Sequence, residues 1–290
     1  MMTSQISPSD QSHRRSDKLF YVGMGVIGGS YVLLIVLFLA ADIAYMLQGS
    51  SRHQLVFDNP LVQALSKPEI RFSILLSLIS CSLSAILSLF VAVPIGYLLA
   101  RTQFFGRRFV DALLDIPIIL PPLVVGLSLL ILFQFWPLTA RLPGIGVTLN
   151  ELVVYQVPAV ILAQFAVAAA FAVRTMKATF EQINPRCEQV ALTLGCNRWQ
   201  AFSHVSLPEA RRGMLTAITL AWARALGEFG PLLIFAGATR NKTEVLSTTV
   251  FLELSIGDIE AAVAVSLIMV TAAVTVLLVT RLWGAKDVMV

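Results

Sequence analysis

The strongest constraint on this chain is a succession of apolar runs, each bounded by charges and each long enough to cross a bilayer as a helix. A hydrocarbon core about 30 Å thick takes roughly 20 helical residues. Six runs meet that length: 19–47, 72–100, 112–135, 152–173, 214–238 and 259–283. Lipid offers the backbone no hydrogen-bond partner, so such runs must satisfy their own amides as helices. The expected fold is therefore all-α, a polytopic membrane bundle of six transmembrane helices. Composition agrees, with 57% hydrophobic and only 13% charged residues, against about 25% charged in soluble domains. A soluble enzyme is excluded. The net charge of +4 is modest and forms no basic stripe interleaved with aromatics, which argues against nucleic acid as a partner. The first run exceeds the roughly 7–15 residues of a secretory h-region and is expected to be retained despite the flank His13-Arg14-Arg15.

Basic residues stay on the cytoplasmic side during insertion, so their distribution among alternate loops sets the orientation. Of the 21 Lys and Arg, 14 fall in one set of segments, including Arg14, Arg101, Arg107, Arg186, Arg198 and Arg281, and six in the other, with Arg224 inside a run. Both termini are then cytoplasmic, and the loops near 48–71, 136–151 and 239–258 face outward. The expected organisation is a cytoplasmic tail over 1–18, a first helix over 19–47, a main transmembrane domain over 65–283 and, within it, a long cytoplasmic loop over 174–213. Cys81, Cys187 and Cys196 have no neighbouring histidines at ligand spacing, so free thiols and no metal site are expected.

Prolines interrupt several runs: Pro94 the second, Pro117, Pro121 and Pro122 the third, Pro158 the fourth and Pro231 the fifth. Two ionisable residues, Arg224 and Glu228, lie in the fifth run at i and i+4, a spacing that lets them pair and lowers the cost of burying either. They are candidates for a translocation pathway or gate, or for an interhelical lock.

The 174–213 loop has its own pattern. Pro185 can open a helix, Glu188 complements its dipole, and Val190, Ala191 and Leu194 recur at helical spacing before Gly195 stops it. Trp199, Phe202 and Val205 form a second amphipathic stretch, expected to end at Pro208. Two short helices joined at a glycine make a knob.

Gln189-Val190-Ala191, three residues, Gly195, nine residues, then Val205-Ser206-Leu207-Pro208 resembles the loop hallmark of permease subunits of ATP-binding-cassette importers. That hallmark reads Glu-Ala-Ala, three residues, Gly, nine residues, Ile-x-Leu-Pro. The sequence departs from it at Gln189, with Glu188 adjacent, and at Val190. The resemblance covers about 65–283 and leaves the first helix as an addition. The segments 224–230 and 257–262, together with Leu120-Pro121-Pro122, look most like molybdate, tungstate and sulfate permeases. Iron and thiamine permeases share parts of them.

What the resemblance implies is a translocation pathway for an oxyanion, built by a subunit that is not itself an enzyme. The implied coupling residues are Glu188, Gln189, Ala191, Gly195, Val205, Leu207 and Pro208, with Arg224 and Glu228 in the pathway. The implied partners are two cytoplasmic ATP-binding subunits, a second permease subunit, expected to be identical, and an extracytoplasmic solute-binding protein, all at a bacterial or archaeal inner membrane. No cofactor is implied. The chain has no Gly-x-x-x-x-Gly-Lys-Ser/Thr phosphate loop, so energy must come from another subunit. An ion-coupled secondary transporter is the competing class, but no internal repeat between the halves supports it.

Overall fold

The computed structural model describes residues 8–52, 60–135, 139 and 148–286. The first seven residues and parts of the loops at 48–71 and 136–151 lie outside the described residues. Every regular element among those described is helical. The chain divides at Asn59 into an N-terminal unit and a larger unit beginning at Pro60. The first unit is α1 (Pro8–Arg52), whose apolar stretch Phe20–Met46 falls within the expected first span.

The second unit starts with α2 (Pro60–Ser66) and α3 (Pro68–Arg101). Pro94 does not interrupt α3, which runs unbroken past it. One face of α3 carries the buried serines Ser73, Ser77, Ser80, Ser84 and Ser88, followed by Ala92 and Gly96. Small side chains let helices approach closely in a membrane, and a Cβ at Gly96 would sit 2.8 Å from Met176 Cβ on the facing helix. Ser73 and Ser80 donate to carbonyls of their own helix, at Ile70 (2.9 Å) and Ser77 (3.3 Å). Ser84 donates across to Ile161 O (3.0 Å), and Ser77 accepts from the amide of Leu246 (2.8 Å).

The third run is not one helix. α4 (Arg107–Ile119) and α5 (Pro122–Leu132) meet at a 111° bend. Pro121 and Pro122 lack amide protons, and the residue before a proline is driven extended, as Leu120 is at ψ 141°. The fourth run is also displaced. Thr148 and Glu151 close a capping box on α6 (Leu149–Val153), Tyr155 adopts φ 58°, and α7 (Val157–Gln182) begins only there. Pro158 therefore opens α7, and the helix continues nine residues past the expected end at Val173.

α4 buries none of its residues. It is held against α7 by charges in antiparallel register: Arg107 with Glu181 at 3.9 Å, Asp111 with Lys177 at 2.7 Å, and Asp115 with Arg174.

After the 183–197 segment, which holds α8 (Pro185–Thr193), come α9 (Arg198–Ala201), a π-helical turn over Phe202–Ser206 and α10 (Leu207–Glu209). α11 (Arg211–Leu226) packs against α3 and α7 and stops at Gly227, so the fifth run is broken as well. A second π-helical turn, Leu232–Ala236, precedes α12 (Leu246–Ser255) and α13 (Ile259–Lys286). The two breaks abut: a Cβ on Gly126 of α5 would lie 2.7 Å from Pro231 Cα, and one on Gly230 2.9 Å from Pro122 Cβ. Among the described residues four helices are long and apolar enough to cross a membrane, or five if the bent α4–α5 pair counts as one span. The chain is a multi-pass helical membrane protein, with the third and fifth expected spans broken at their Pro and Gly residues.

Candidate functional site

The loop between α7 and α11 forms a built knob. It starts at Ile183 rather than 174, because α7 carries the chain to Gln182. Asn184 caps α8 by accepting from the Arg186 amide at 3.0 Å. At the other end Gly195 takes φ +93°, a conformation that favours glycine, while its amide bonds Leu192 O (3.1 Å) and the Cys196 amide bonds Ala191 O (3.1 Å). This is a Schellman ending. Asn197 and Gln200 then exchange capping bonds of 2.8 Å each, starting the next helix two residues later.

Pro208 does not end that second stretch. A proline removes the amide that would bond four residues back, and the chain responds by widening: Leu207 N reaches Phe202 O in the π-helical turn and the helix runs on through α10.

Glu188 faces inward. Its carboxylate accepts from Arg101 Nε at 2.8 Å and from the Tyr97 hydroxyl at 3.1 Å, while Arg101 Nη2 also holds Ile183 O at 2.9 Å. Tyr97, Phe180 and Phe202 stack edge to face or tilted at 4.6–6.3 Å, with Trp199 5.8 Å from Phe202. The knob is thus rooted on the ends of α3 and α7 by one ion pair and an aromatic cluster. Gln189 is exposed, and beside it Val190, Leu194 and Trp199 stand out as an uncovered apolar ridge. Ala191, Val205 and Leu207 are half-buried behind that ridge, and Pro208 is exposed. Sequence spacing alone could not separate Glu188 from Gln189; the structure assigns the inner contact to Glu188.

Arg224 and Glu228 do form an ion pair, but not within one helix. Gly227 caps α11, and Glu228, buried, lies in the break beyond it, where its carbonyl accepts from Ser247 Oγ at 2.6 Å. The guanidinium lies 5.7 Å over the Phe171 ring of α7. A cleft of about 430 Å³ opens elsewhere on α11, against α13, lined by Arg212, Thr216, Thr219, Leu220, Leu277 and Arg281.

A second charged cluster is assembled from residues that no sequence motif links. Glu253, fully buried on α12, accepts from Arg240 Nη2 at 2.9 Å and from Lys67 Nζ at 3.4 Å; Lys67 also reaches Asp258 Oδ2 at 2.9 Å. Asp258 caps α13 through the Ala261 amide (2.9 Å), and that bond, then Lys67, holds its carboxyl below the usual aspartate range. Burial pulls the Lys67 ammonium down, yet Asp258 and Glu253 together raise it above the usual lysine value. Glu244, also buried, is pushed up by burial. These residues are separated by up to 191 positions, which no local pattern can reveal. Among the described residues no group of three or more His, Cys, Asp or Glu could hold a metal ion, and all three cysteines are free.

Residues 92–285 match the family model described as binding-protein-dependent transport system inner membrane component. The sulfate transport system permease protein CysT of Escherichia coli is 32% identical over 270 residues, 92% of each chain. The molybdate/tungstate transport system permease protein WtpB of Thermococcus kodakarensis is 34% identical over 61% of this chain and 65% of its own. Among solved structures, a chain of a bacterial alginate ABC transporter in complex with an alginate-bound periplasmic protein aligns over 96% of this chain and 97% of its own, with a TM-score of 0.70 at 16% identity, a likeness of fold.

Proposed function

The chain belongs to the binding-protein-dependent transport system inner membrane components, and from that membership we propose that it is the permease subunit of an ATP-driven importer whose cargo is a tetrahedral oxyanion, sulfate, molybdate or tungstate. It hydrolyses nothing itself. Two cytoplasmic ATP-binding subunits supply the energy, a second copy of the permease completes the pathway, and an extracytoplasmic solute-binding protein delivers the anion. Both termini are cytoplasmic.

The observation that carries this reading is the knob. A ridge of Val190, Leu194 and Trp199, exposed on a segment flanked by Arg186 and Arg198, needs a protein cover rather than lipid, and its root on Glu188, Arg101 and Phe180 makes it a lever on α3 and α7. Closure of the ATPases on that ridge turns an inward-opening cavity outward, a rigid-body switch. Arg224, neutralised by Glu228 and stacked on Phe171, sits in the pathway as a weak anion contact that lets cargo leave; selection belongs to the binding protein.

The test is uptake of radiolabelled sulfate and molybdate into proteoliposomes holding the whole complex, with ATP inside and binding protein outside. Uptake that needs both partners supports the reading, whereas uptake without ATP, or of thiamine or iron only, overturns it. Topology is tested separately in a cysteine-free background, because Cys187 is exposed. An impermeant thiol reagent applied outside should label Asn241→Cys and not Asn197→Cys; both positions are exposed.

A further inference from the structure

We propose that the three ion pairs between α4 and α7 are a coupling ladder that makes α4 travel with α7, so that movement of the loop knob reaches the bent α4–α5 pair; the proposal rests on the permease reading above. Helices in a bundle are ordinarily held by buried apolar or small side chains, yet α4 buries none. Its hold on α7 is a repeating charge register instead. Arg107 faces Glu181, Asp111 faces Lys177 and Asp115 faces Arg174, spaced four residues apart on α4, so all three stand on one helix face. The signs run positive, negative, negative along α4 against negative, positive, positive on α7, so a slip by one turn leaves only one opposite pair and sets one like pair face to face. The ladder therefore fixes register as well as proximity.

Its position gives the ladder a use. The α7 partners at 174–181 flank Phe180, the ring that stacks against Phe202 of the knob. At the far end α4 passes through Pro121 into α5, whose Gly126 lies against Pro231 in the break that carries Glu228. Motion of the knob would reach this second break through α7, the ladder, α4 and α5. The lysine and aspartate of the middle rung are only partly exposed, at 15% and 34% of their side chains, so water screens that rung incompletely.

The experiment reverses charges within the assembled complex. Asp115→Arg alone and Arg174→Asp alone should each lower uptake per ATP hydrolysed by about five- to tenfold while ATPase association is kept, and the double swap should restore it. Asp111→Lys with Lys177→Asp forms an independent second pair. Hydrogen exchange over 109–119 should rise in each single variant and return in each swap, a readout that needs no transport. Finally, a disulfide between Asp111→Cys and Lys177→Cys in a cysteine-free background should leave uptake running, because the two helices never part. Unchanged exchange and coupling in the single variants, failure of both swaps in assembled complexes, or arrest by the disulfide would each overturn the ladder. Absence of ATP-driven uptake in the unmodified complex would instead sink the permease reading, leaving the exchange result to judge the ladder alone.

Discussion

Removing the Glu188 carboxylate should release the knob from its root. In Glu188→Ala the Arg101 guanidinium loses its counter-ion and Tyr97 its acceptor, two contacts of 2.8 and 3.1 Å. Breaking a buried ion pair costs about 3–5 kcal/mol when the remaining charge is stranded. Here both side chains keep 12% of their exposure, and Arg101 retains its bond to Ile183 O, so water and that carbonyl offset part of the loss. A figure of about 2–3 kcal/mol follows, equivalent to a 30- to 140-fold shift in the ratio of docked to undocked knob at about 1.4 kcal/mol per tenfold. The Tyr97–Phe202 stack at 4.6 Å remains and keeps the α9 side attached, so the loosening should concentrate in α8. Amide exchange in purified protein reads this directly. Amides of residues 188–193 should exchange faster by roughly that factor, while those of α7 between 160 and 172 stay as they were. Glu188→Gln, which keeps a Tyr97 acceptor without the charge, should fall between. Arg101→Ala combined with Glu188→Ala should cost less than the sum of the singles, with a coupling of at least about 1 kcal/mol. Less than a threefold change in α8 exchange for Glu188→Ala, or simple additivity of the pair, would refute the assignment of Glu188 as the anchor.

Gly126→Ala places a methyl 2.7 Å from the Pro231 backbone, which cannot rotate away, so about 1–3 kcal/mol of overpacking should appear as a lowered melting temperature in detergent; an unchanged melt would mean the two breaks do not abut. Gly195→Ala meets no atom within 4 Å, so its cost of about 1–2 kcal/mol should come from the φ of +93° alone and be smaller for Gly195→Asn, compared by exchange over 194–197. The folded state holds the Glu244 proton above the ordinary glutamate range, so its stability contribution is present at acid pH and lost as pH rises through the raised value; Glu244→Gln should remove that decline, and parallel melting curves from pH 4 to 8 would contradict it.

Periodicity identified the helical class because an apolar run leaves a membrane segment few options, and α1, α3 and α13 follow their runs closely. The errors fall at imino acids and glycines. Pro94, mid-helix, was absorbed within α3, whereas Pro121-Pro122 and Gly227–Gly230 opened full breaks. The difference lies in what fills the gap: a doubled proline removes two successive amides, and a break persists where another backbone, Pro231 against Gly126, packs into it. The knob was legible because its caps are local, with Asn184, Gly195 and Asn197 each acting within a few residues. The partner of Glu188 was not, since Arg101 lies 87 positions away. The α4 ladder has no local signature either, since Asp111 and Asp115 lie 66 and 59 positions from Lys177 and Arg174.

The serine face of α3 also bears on how such a chain is made. Ser73 and Ser80 give their protons to carbonyls of their own helix, so α3 carries these hydroxyls into lipid already satisfied and can wait there as a lone segment. Ser84, by contrast, reaches Ile161 O on α7, a helix synthesised some 80 residues later. α11 has no such independence: Arg224 leans on the ring of Phe171 and closes onto a glutamate beyond the end of its own helix. The contacts thus form an order of dependence: the hydroxyls of Ser73 and Ser80 need only their own helix, whereas Ser84 and Arg224 complete their contacts only with α7 in place.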